Sequence, residues 1–401
     1  MRIVFLTLGY PLTERNLYTD LVDGFIEQGH DVTVVRQDET RSRGDVGVTY
    51  SGKVRILSIP TGRLLQTNFI RKGINTLLLE YRFLRKISKH KFEAVDVILY
   101  STPPITFQKV VIALKRKYQC ISYLLLKDIF PQNAIDIGII KQNSLLHRFF
   151  RSKEKKLYQH SDIIGCMSPA NVNYLRMHNP ELADKKIHVA PNCIFPEEQK
   201  TSVNKKDVFN KYDIPVEPVH FIYGGNLGKP QGVDFIINCI GELKNEDSCF
   251  LTIVGKGTEY YKLSNFLLKN NITNTRLIEH LPKEDYLELL SCMNIGMIFL
   301  DSRFTIPNFP SRILDYMKYS LPIFACTDNV CDVKQEICDR GAGFWCGSDD
   351  IDGFREIIKN IKSMNGDALK SMGKRSRELL IEKYSVPFVV ENMLSKINNT
   401  L

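Results

Sequence analysis

The stretch PNFPSRILDYMKYSLPIFA, Pro307 to Ala325, decides the fold. It reads as a loop, a short helix and then a buried strand. Proline and asparagine punctuate its start, Ile313, Leu314 and Met317 recur at helical spacing, and LPIFA is a short apolar run. Loop–helix–strand order of this kind belongs to parallel α/β sheets, whose ligands bind beyond the carboxyl ends of the strands. Ser311 is placed to cap the helix, which predicts free backbone N–H groups pointing outward near Arg312. Together with the helix dipole, such groups suit a phosphate. Asp315 follows about one turn later with an acceptor-only side chain able to grip sugar hydroxyls. Pro310, Ser311, Arg312 and Asp315 are therefore candidates for a nucleotide-sugar pocket. The same residues also fit an ordinary amphipathic helix with no ligand.

The surrounding sequence repeats the pattern. HFIYGG (His220 to Gly225), CFLTIVGKG (Cys249 to Gly257), TRLIEHL (Thr275 to Leu281) and IGMIFL (Ile295 to Leu300) read as strands, with helices over Val233 to Leu243 and Glu284 to Met293. Glycine-bearing loops leave three strand ends: GGNLGKPQG from Gly224, GKGTE from Gly255, and the loop into Pro310–Arg312. Gly225, Gly255 and Gly257 let the backbone approach a phosphate, while Lys229, Lys256 and Arg312 add cationic donors where a diphosphate would lie. Glu279 to Leu281, with Gly255 and Gly257, is the expected seat of the base. None of the loops is a P-loop, because no Gly-Lys-Ser/Thr stands at the needed spacing.

The first half follows the same plan. RIVFLTL (Arg2 to Leu8), DVTVVR (Asp31 to Arg36), VRILSI (Val54 to Ile59), VDVILYS (Val95 to Ser101), CISYLLL (Cys120 to Leu126), IIGCMS (Ile163 to Ser168) and KIHVAPN (Lys186 to Asn192) are predicted strands. The charged segment Pro196 to Pro218 reads as a linker. The expectation is an α/β protein of two doubly wound Rossmann-like domains facing across a cleft. They cover residues 1–200 for the acceptor and 201–385 for the nucleotide sugar, and a helix over 386–401 packs back toward the first. Asp128, just past a strand end, would face that cleft and orient acceptor or donor sugar; it equally suits a turn or helix cap. Gly9 and Tyr10 would form the opposing loop near the phosphates, or a simple strand-end turn.

With 401 residues, 43% hydrophobic and 25% charged, the chain has the composition of a soluble protein of two domains. No apolar run reaches the roughly 18 residues of a membrane span, and the N-terminus reads as a first strand and not a signal peptide. Ten scattered cysteines without zinc spacing fit a reducing cytoplasm, and no metal site is expected. Net charge is +9, but residues 51–160 hold 21 basic against 6 acidic residues. That bias implies a polyanionic partner. No nucleic-acid-binding motif occurs, which leaves an anionic membrane. Phe69 to Lys91 suits an interfacial helix: Phe69, Ile74, Leu77, Leu78, Tyr81, Leu84 and Ile87 share a broad face flanked by Arg71, Lys72, Arg82, Arg85, Lys86 and Lys89. A packed domain helix with a solvated basic face fits the same residues.

Through YGGNLGKPQGV, FLTIVGKGTE and FPSRILDYMKYSLPIFA, the chain resembles glycosyltransferase family 4, of GT-B fold, over nearly its whole length. LLLKDIFPQ (Leu124 to Gln132), MSPAN and VAPNCI resemble its branch that builds bacterial O-antigen and capsular polysaccharide, including transferases of N-acetylfucosamine, with Phe130 in place of that branch's tryptophan. The resemblance implies retaining transfer from a UDP-sugar to a polyprenyl-diphosphate-linked glycan at the cytoplasmic face of the plasma membrane, with no metal or other cofactor. Asp128, Lys229 and Asp315 are the catalytic candidates. The family's Glu-x7-Glu pair falls at Pro307 and Asp315, and its usual arginine and lysine of the first glycine loop fall at Asn226 and Gln231. A nucleotide-sugar 2-epimerase shares the two-domain architecture, and a non-catalytic nucleotide-sugar-binding subunit fits the replacements at Pro307 and Asn226.

Overall fold

The structure, a computed structural model, describes residues 1–41, 44–62, 69–197, 203–244 and 246–401; within the helix that begins at Phe69, side chains are described from Leu78 onward. The chain divides into two units, Met1–Phe195 with Ser385–Leu401, and Pro196–Tyr384.

The first unit opens with β1 (Arg2–Leu6), α1 (Leu17–Glu27), β2 (Asp31–Asp38), β3 (Gly47–Ser51), β4 (Val54–Pro60) and α2 (Phe69–Lys89). It continues through β5 (Val97–Ser101), α3 (Gln108–Tyr118), β6 (Ile121–Leu126), α4 (Gln132–Asp136), α5 (Leu145–His160), β7 (Ile163–Cys166), α6 (Pro169–His178) and β8 (Lys186–Val189). Its strands lie in the order β3-β4-β2-β1-β5-β6-β7-β8. All neighbours are parallel except the β3–β4 hairpin, which the sequence did not signal because its residues Val48 to Ser51 are exposed and carry no apolar stripe. The central strands β5 and β6 are buried on both faces, which is why they read as unbroken apolar runs.

The second unit holds α7 (Lys205–Lys211), β9 (Val219–Gly224), α8 (Val233–Leu243), β10 (Cys249–Val254), α9 (Tyr260–Lys269), β11 (Thr275–Ile278), α10 (Lys283–Ser291) and β12 (Ile295–Phe299). It closes with α11 (Ile313–Lys318), β13 (Ile323–Thr327), α12 (Val333–Cys338), β14 (Gly343–Gly347), α13 (Ile351–Ser363) and α14 (Gly366–Leu379). Its sheet is fully parallel, in the order β11-β10-β9-β12-β13-β14. The stretch expected to be a linker contains α7: Val208 and Phe209 are buried amid charged neighbours, and Tyr212 and Ile214 follow them inward.

The last helix, α15 (Val386–Asn398), belongs to the first unit, where Val386, Val389, Val390, Met393 and Ile397 join the core of β1, β2 and α1. Gly24 makes this possible, since a Cβ there would lie 2.3 Å from a Val386 methyl.

Each sheet reverses its winding at one place. In the first unit β1 leads outward through β2 and β4, then the chain returns to β5 on its other side; in the second, β9 leads to β10 and β11 and the chain returns to β12. Ligands of open α/β sheets bind at these switch points, outside the carboxyl ends of the strands. The loops after β9 and β12, and those after β1 and β5, flank them.

The inward face of α2 carries Leu79, Phe83 and Ile87, while Leu78 and Tyr81 are exposed. This is the stripe of a packed helix, offset from the interfacial face expected from sequence; Phe69, Arg71, Lys72, Ile74 and Leu77 lie outside the described side chains. Among the described residues no helix is long and apolar enough to cross a membrane.

Candidate active site

In the second unit, the three glycine loops meet. The Gly225 amide donates to the Val254 carbonyl at 2.8 Å, the Leu227 amide to the Lys256 carbonyl at 2.9 Å, and the Glu259 amide to the Leu227 carbonyl at 2.9 Å. A Cβ on Gly255 would stand 1.9 Å from the Gly225 oxygen, and one on Gly257 would stand 2.2 Å from the Leu227 oxygen. These two glycines are required by loop-on-loop packing, a different reason from the phosphate approach expected of them. Gly225, with φ of 145°, occupies backbone space that side chains disfavour.

Arg312 closes the site from the β12 side. A Cβ on Gly225 would lie 2.6 Å from its guanidinium carbon, and that carbon stands 4.5 Å from the centre of the Tyr223 ring. Nη1 is buried and has no hydrogen-bond partner among the described residues. Around the guanidinium gather Tyr223, Tyr286 and Tyr316. The Tyr316 hydroxyl accepts from the Gly224 amide at 3.1 Å, and the Tyr223 hydroxyl donates to the Asn226 carbonyl at 2.7 Å. Burial pushes the Tyr316 phenol up while Arg312 pulls it down. Such a buried cation, ringed by neutral phenols, retains attraction for an anion.

Ser311 does not cap the helix. The N-cap is Arg312, in αR conformation and without a side-chain cap, and Ser311 is exposed. The Ile313 and Leu314 amides bond to the Pro310 and Ser311 carbonyls at 3.2 and 3.1 Å, because the chain enters α11 through a tight turn. The set of outward amides is thus smaller than predicted, and the Arg312 side chain is the donor the structure aims at the Gly225 loop. Asp315 lies half-buried on α11; burial raises the phenols of Tyr286, Tyr316 and Tyr319, and the Asp315 carboxylate adds to the rise.

Asn226 and Gln231, where the family's arginine and lysine fall, bond to each other. Gln231 Oε1 accepts from Asn226 Nδ2 and from the Gly228 amide, both at 3.1 Å. Gln231 is buried, so it shapes the loop. Lys256 Nζ is paired with Glu279 at 3.2 Å, on the surface, tying the ends of β10 and β11 together. Lys229 is exposed at the start of a 3-10 turn, Lys229–Gln231.

In the first unit, Asp128 follows β6. Its backbone is held by Thr102, whose hydroxyl accepts the Asp128 amide at 3.2 Å. Burial alone raises the Asp128 carboxyl above the usual carboxylate range. Tyr18, Thr7 and Ser101 lie beside it: burial raises the Tyr18 phenol, the Ser101 and Thr7 hydroxyls lower it, and Asp128 raises it again. This cluster sits at the β1/β5 switch point. Gly9 is exposed, its carbonyl accepting from Asn16 Nδ2 at 2.9 Å, but Tyr10 is turned into the core, 4% exposed, and is not available to a phosphate. Its ring joins the core cluster that also holds Leu21 and Phe25 of α1, where burying apolar surface is favourable.

Both halves of the chain match models of known families. Residues 204–379 match the glycosyl transferases group 1, and residues 16–198 match glycosyltransferase family 4. The chain belongs to the family 4 glycosyltransferases. A probable glycosyltransferase, WbjE of Pseudomonas aeruginosa, is 23% identical to the transferase over 339 residues, covering 80% of this chain and 78% of the relative. Among solved structures, a sucrose-phosphate synthase from Thermosynechococcus elongatus superposes with a TM-score of 0.76 at 13% identity, over 99% of this chain and 98% of that one. A trehalose-6-phosphate enzyme from E. coli, solved with UDP-2-fluoro glucose, superposes with a TM-score of 0.71 at 10% identity, over 99% of each chain. At those identities the likeness establishes the GT-B fold.

Sequence reading missed several residues of these two clusters. The three tyrosines around Arg312 stand on β9, α10 and α11, and only Tyr316, one turn after Arg312, had a local signal. Tyr18, Thr7 and Ser101 carry no motif. Lys127, next to Asp128, was also missed; burial lowers its ammonium to about 8.

Proposed function

We propose that the protein is a retaining, metal-independent glycosyltransferase. It moves an N-acetylated hexosamine or deoxyhexosamine from a UDP-sugar to a polyprenyl-diphosphate-linked glycan, in the synthesis of O-antigen or capsule at the cytoplasmic face of the plasma membrane. The observation that carries the reading is the buried Arg312 guanidinium, whose Nη1 has no hydrogen-bond partner among the described residues, packed on Gly225 at the β9/β12 switch point. The UDP-2-fluoro glucose bound by the structurally similar E. coli enzyme supports a UDP-linked donor.

In this account the diphosphate lies on Gly225 and Arg312, with Lys229 reaching it from the exposed turn, and Asp315 holds the ribose hydroxyls. As the anomeric C–O bond breaks, negative charge grows on the leaving phosphate, and the fixed guanidinium stabilises it without reorganising. The acceptor hydroxyl attacks from the same face and its proton passes to the departing phosphate. Asp128, with Tyr18, Thr7 and Ser101 around it, orients sugar hydroxyls in the first unit.

The test is incubation with a panel of UDP-sugars and a polyprenyl-diphosphate acceptor, with NMR of the product linkage. Formation of a glycoside with the donor's anomeric configuration is expected. An inverted linkage contradicts the mechanism. Conversion of a UDP-HexNAc to its 2-epimer without acceptor would contradict the activity.

A further inference from the structure

Large apolar side chains gather on the surface where α4 gives way to α5. Ile139 is 51% exposed, Leu145 84%, Leu146 43% and Phe149 39%. Leu145 and Phe149 stand one turn apart on one face of α5, with Leu146 beside them. The tip has a fixed shape: the Ser144 hydroxyl caps α5 by accepting the His147 amide at 3.2 Å, and the Asn143 amide donates to His147 Nδ1 at 2.9 Å. Exposed apolar residues grouped in this way mark an interaction surface.

The charge around the patch is of one sign. From Ile137 to Lys153 the sequence has no acidic residue. Arg151, Lys153 and Lys155 are paired with Glu154, Glu80 and Glu181. Lys141, Arg148 and Lys156 are exposed and form no ion pair with a described residue. The patch also leads inward. The Phe149 and Phe150 rings are 5.3 Å apart, Phe150 and Phe130 are 4.9 Å apart, and Phe130 lies two residues after Asp128. An apolar tip with unpaired cations beside it matches an anionic bilayer, whose acyl boundary takes the side chains while its headgroups take the charges. A protein partner would explain the apolar tip but not the row of rings from Phe149 to Phe130, two residues from Asp128 in the chain.

We propose that Ile139, Leu145, Leu146 and Phe149 insert into an anionic bilayer, with Lys141, Arg148 and Lys156 on its headgroups, so that a lipid-linked acceptor reaches Asp128 along Phe149, Phe150 and Phe130. This docking element is distinct from the exposed face of α2. It rests on the lipid-linked acceptor of the proposed function.

The test compares the wild type with an Ile139→Glu/Leu145→Glu variant and a Leu78→Glu/Tyr81→Glu variant, all shown by thermal melts to be folded. Each is sedimented with phosphatidylglycerol/phosphatidylethanolamine vesicles and with phosphatidylcholine vesicles. Transfer is then measured to acceptor embedded in vesicles and to a short-chain, water-soluble acceptor. The wild type is expected to sediment with the anionic vesicles only. The Ile139/Leu145 variant is expected to lose that binding at least tenfold, and to lose transfer to embedded acceptor, while transfer to soluble acceptor is unchanged. Equal sedimentation of wild type and this variant overturns the proposal, as does loss confined to the Leu78/Tyr81 variant, or a wild type that ignores vesicles. Transfer to the soluble acceptor reports separately on the enzymatic reading, which fails only if that transfer is absent.

Discussion

Replacing Arg312 with methionine should make the apo protein more stable and the donor complex much weaker. The guanidinium is enclosed by Tyr223, Tyr286 and Tyr316, and its Nη1 meets no acceptor among the described residues. Taking a charge out of water costs several kcal/mol, and the hydrogen bond and charge interaction with Tyr223 offset only part of that cost. Its position 4.5 Å from the Tyr223 ring centre returns about 2 kcal/mol as a cation–π contact. Methionine fills similar space without the charge, so a net gain of about 1–2 kcal/mol is expected, and each kcal/mol moves the melting point by about 2–4 °C in a domain of this size. Binding moves the other way. Hydrogen bonds to charged groups are worth about 1.5–3 kcal/mol each. Losing two from a diphosphate, at least about 3 kcal/mol, weakens UDP binding by 100-fold or more. Urea unfolding without ligand measures the first effect, and titration calorimetry with UDP measures the second. A variant that is less stable than wild type yet binds UDP normally would refute the reasoning, because Arg312 would then be a structural side chain.

Other outcomes follow from the same geometry. Asp315→Ala should abolish measurable transfer in a radiolabel assay while leaving the melting point within a few degrees of wild type; near wild-type transfer would remove the ribose role. Gly257→Ala should weaken UDP binding and destabilise by about 1–3 kcal/mol, since the new Cβ meets the Leu227 backbone oxygen at 2.2 Å. Gly241→Ala, in the interior of α8 with nothing within 4 Å, should instead stabilise by about 0.5–1 kcal/mol, and the pair is read by urea unfolding. Lys127→Met should stabilise by up to about 3 kcal/mol at pH 7, because burial lowers the ammonium to about 8 from 10.5. Between those values the unfolded wild type binds more protons, so wild-type stability should climb with pH from about 8 and the advantage of the variant should vanish above about pH 10, as unfolding at a series of pH values will show.

The two doubly wound parallel sheets were legible because each central strand is buried on both faces and so reads as a short apolar run between glycines and helices. Helix α8 fell on its predicted residues, since its apolar positions and its N-terminal Gly232 agree. The β3 edge strand was not legible, because an exposed strand carries no apolar stripe. In the candidate site, Gly225 and Arg312 were found through local pattern, and the structure brings them together. The error at Ser311 arose because a serine before an apolar run signals a cap, whereas here the turn at Pro310 satisfies the first amides by backbone alone. Tyr10 was misread because a residue after a strand-end glycine need not face outward, and its ring found the core. The tyrosines around Arg312 and the hydroxyls around Asp128 come from separate elements, so only three-dimensional packing assembles them.

A structure of the protein crystallised with UDP tests the central claim most directly. The account predicts the diphosphate within hydrogen-bond distance of Arg312 Nη1 and on the Gly225 backbone, with the ribose hydroxyls on Asp315. Diphosphate density elsewhere, with the Arg312 guanidinium still buried and bare, would contradict it.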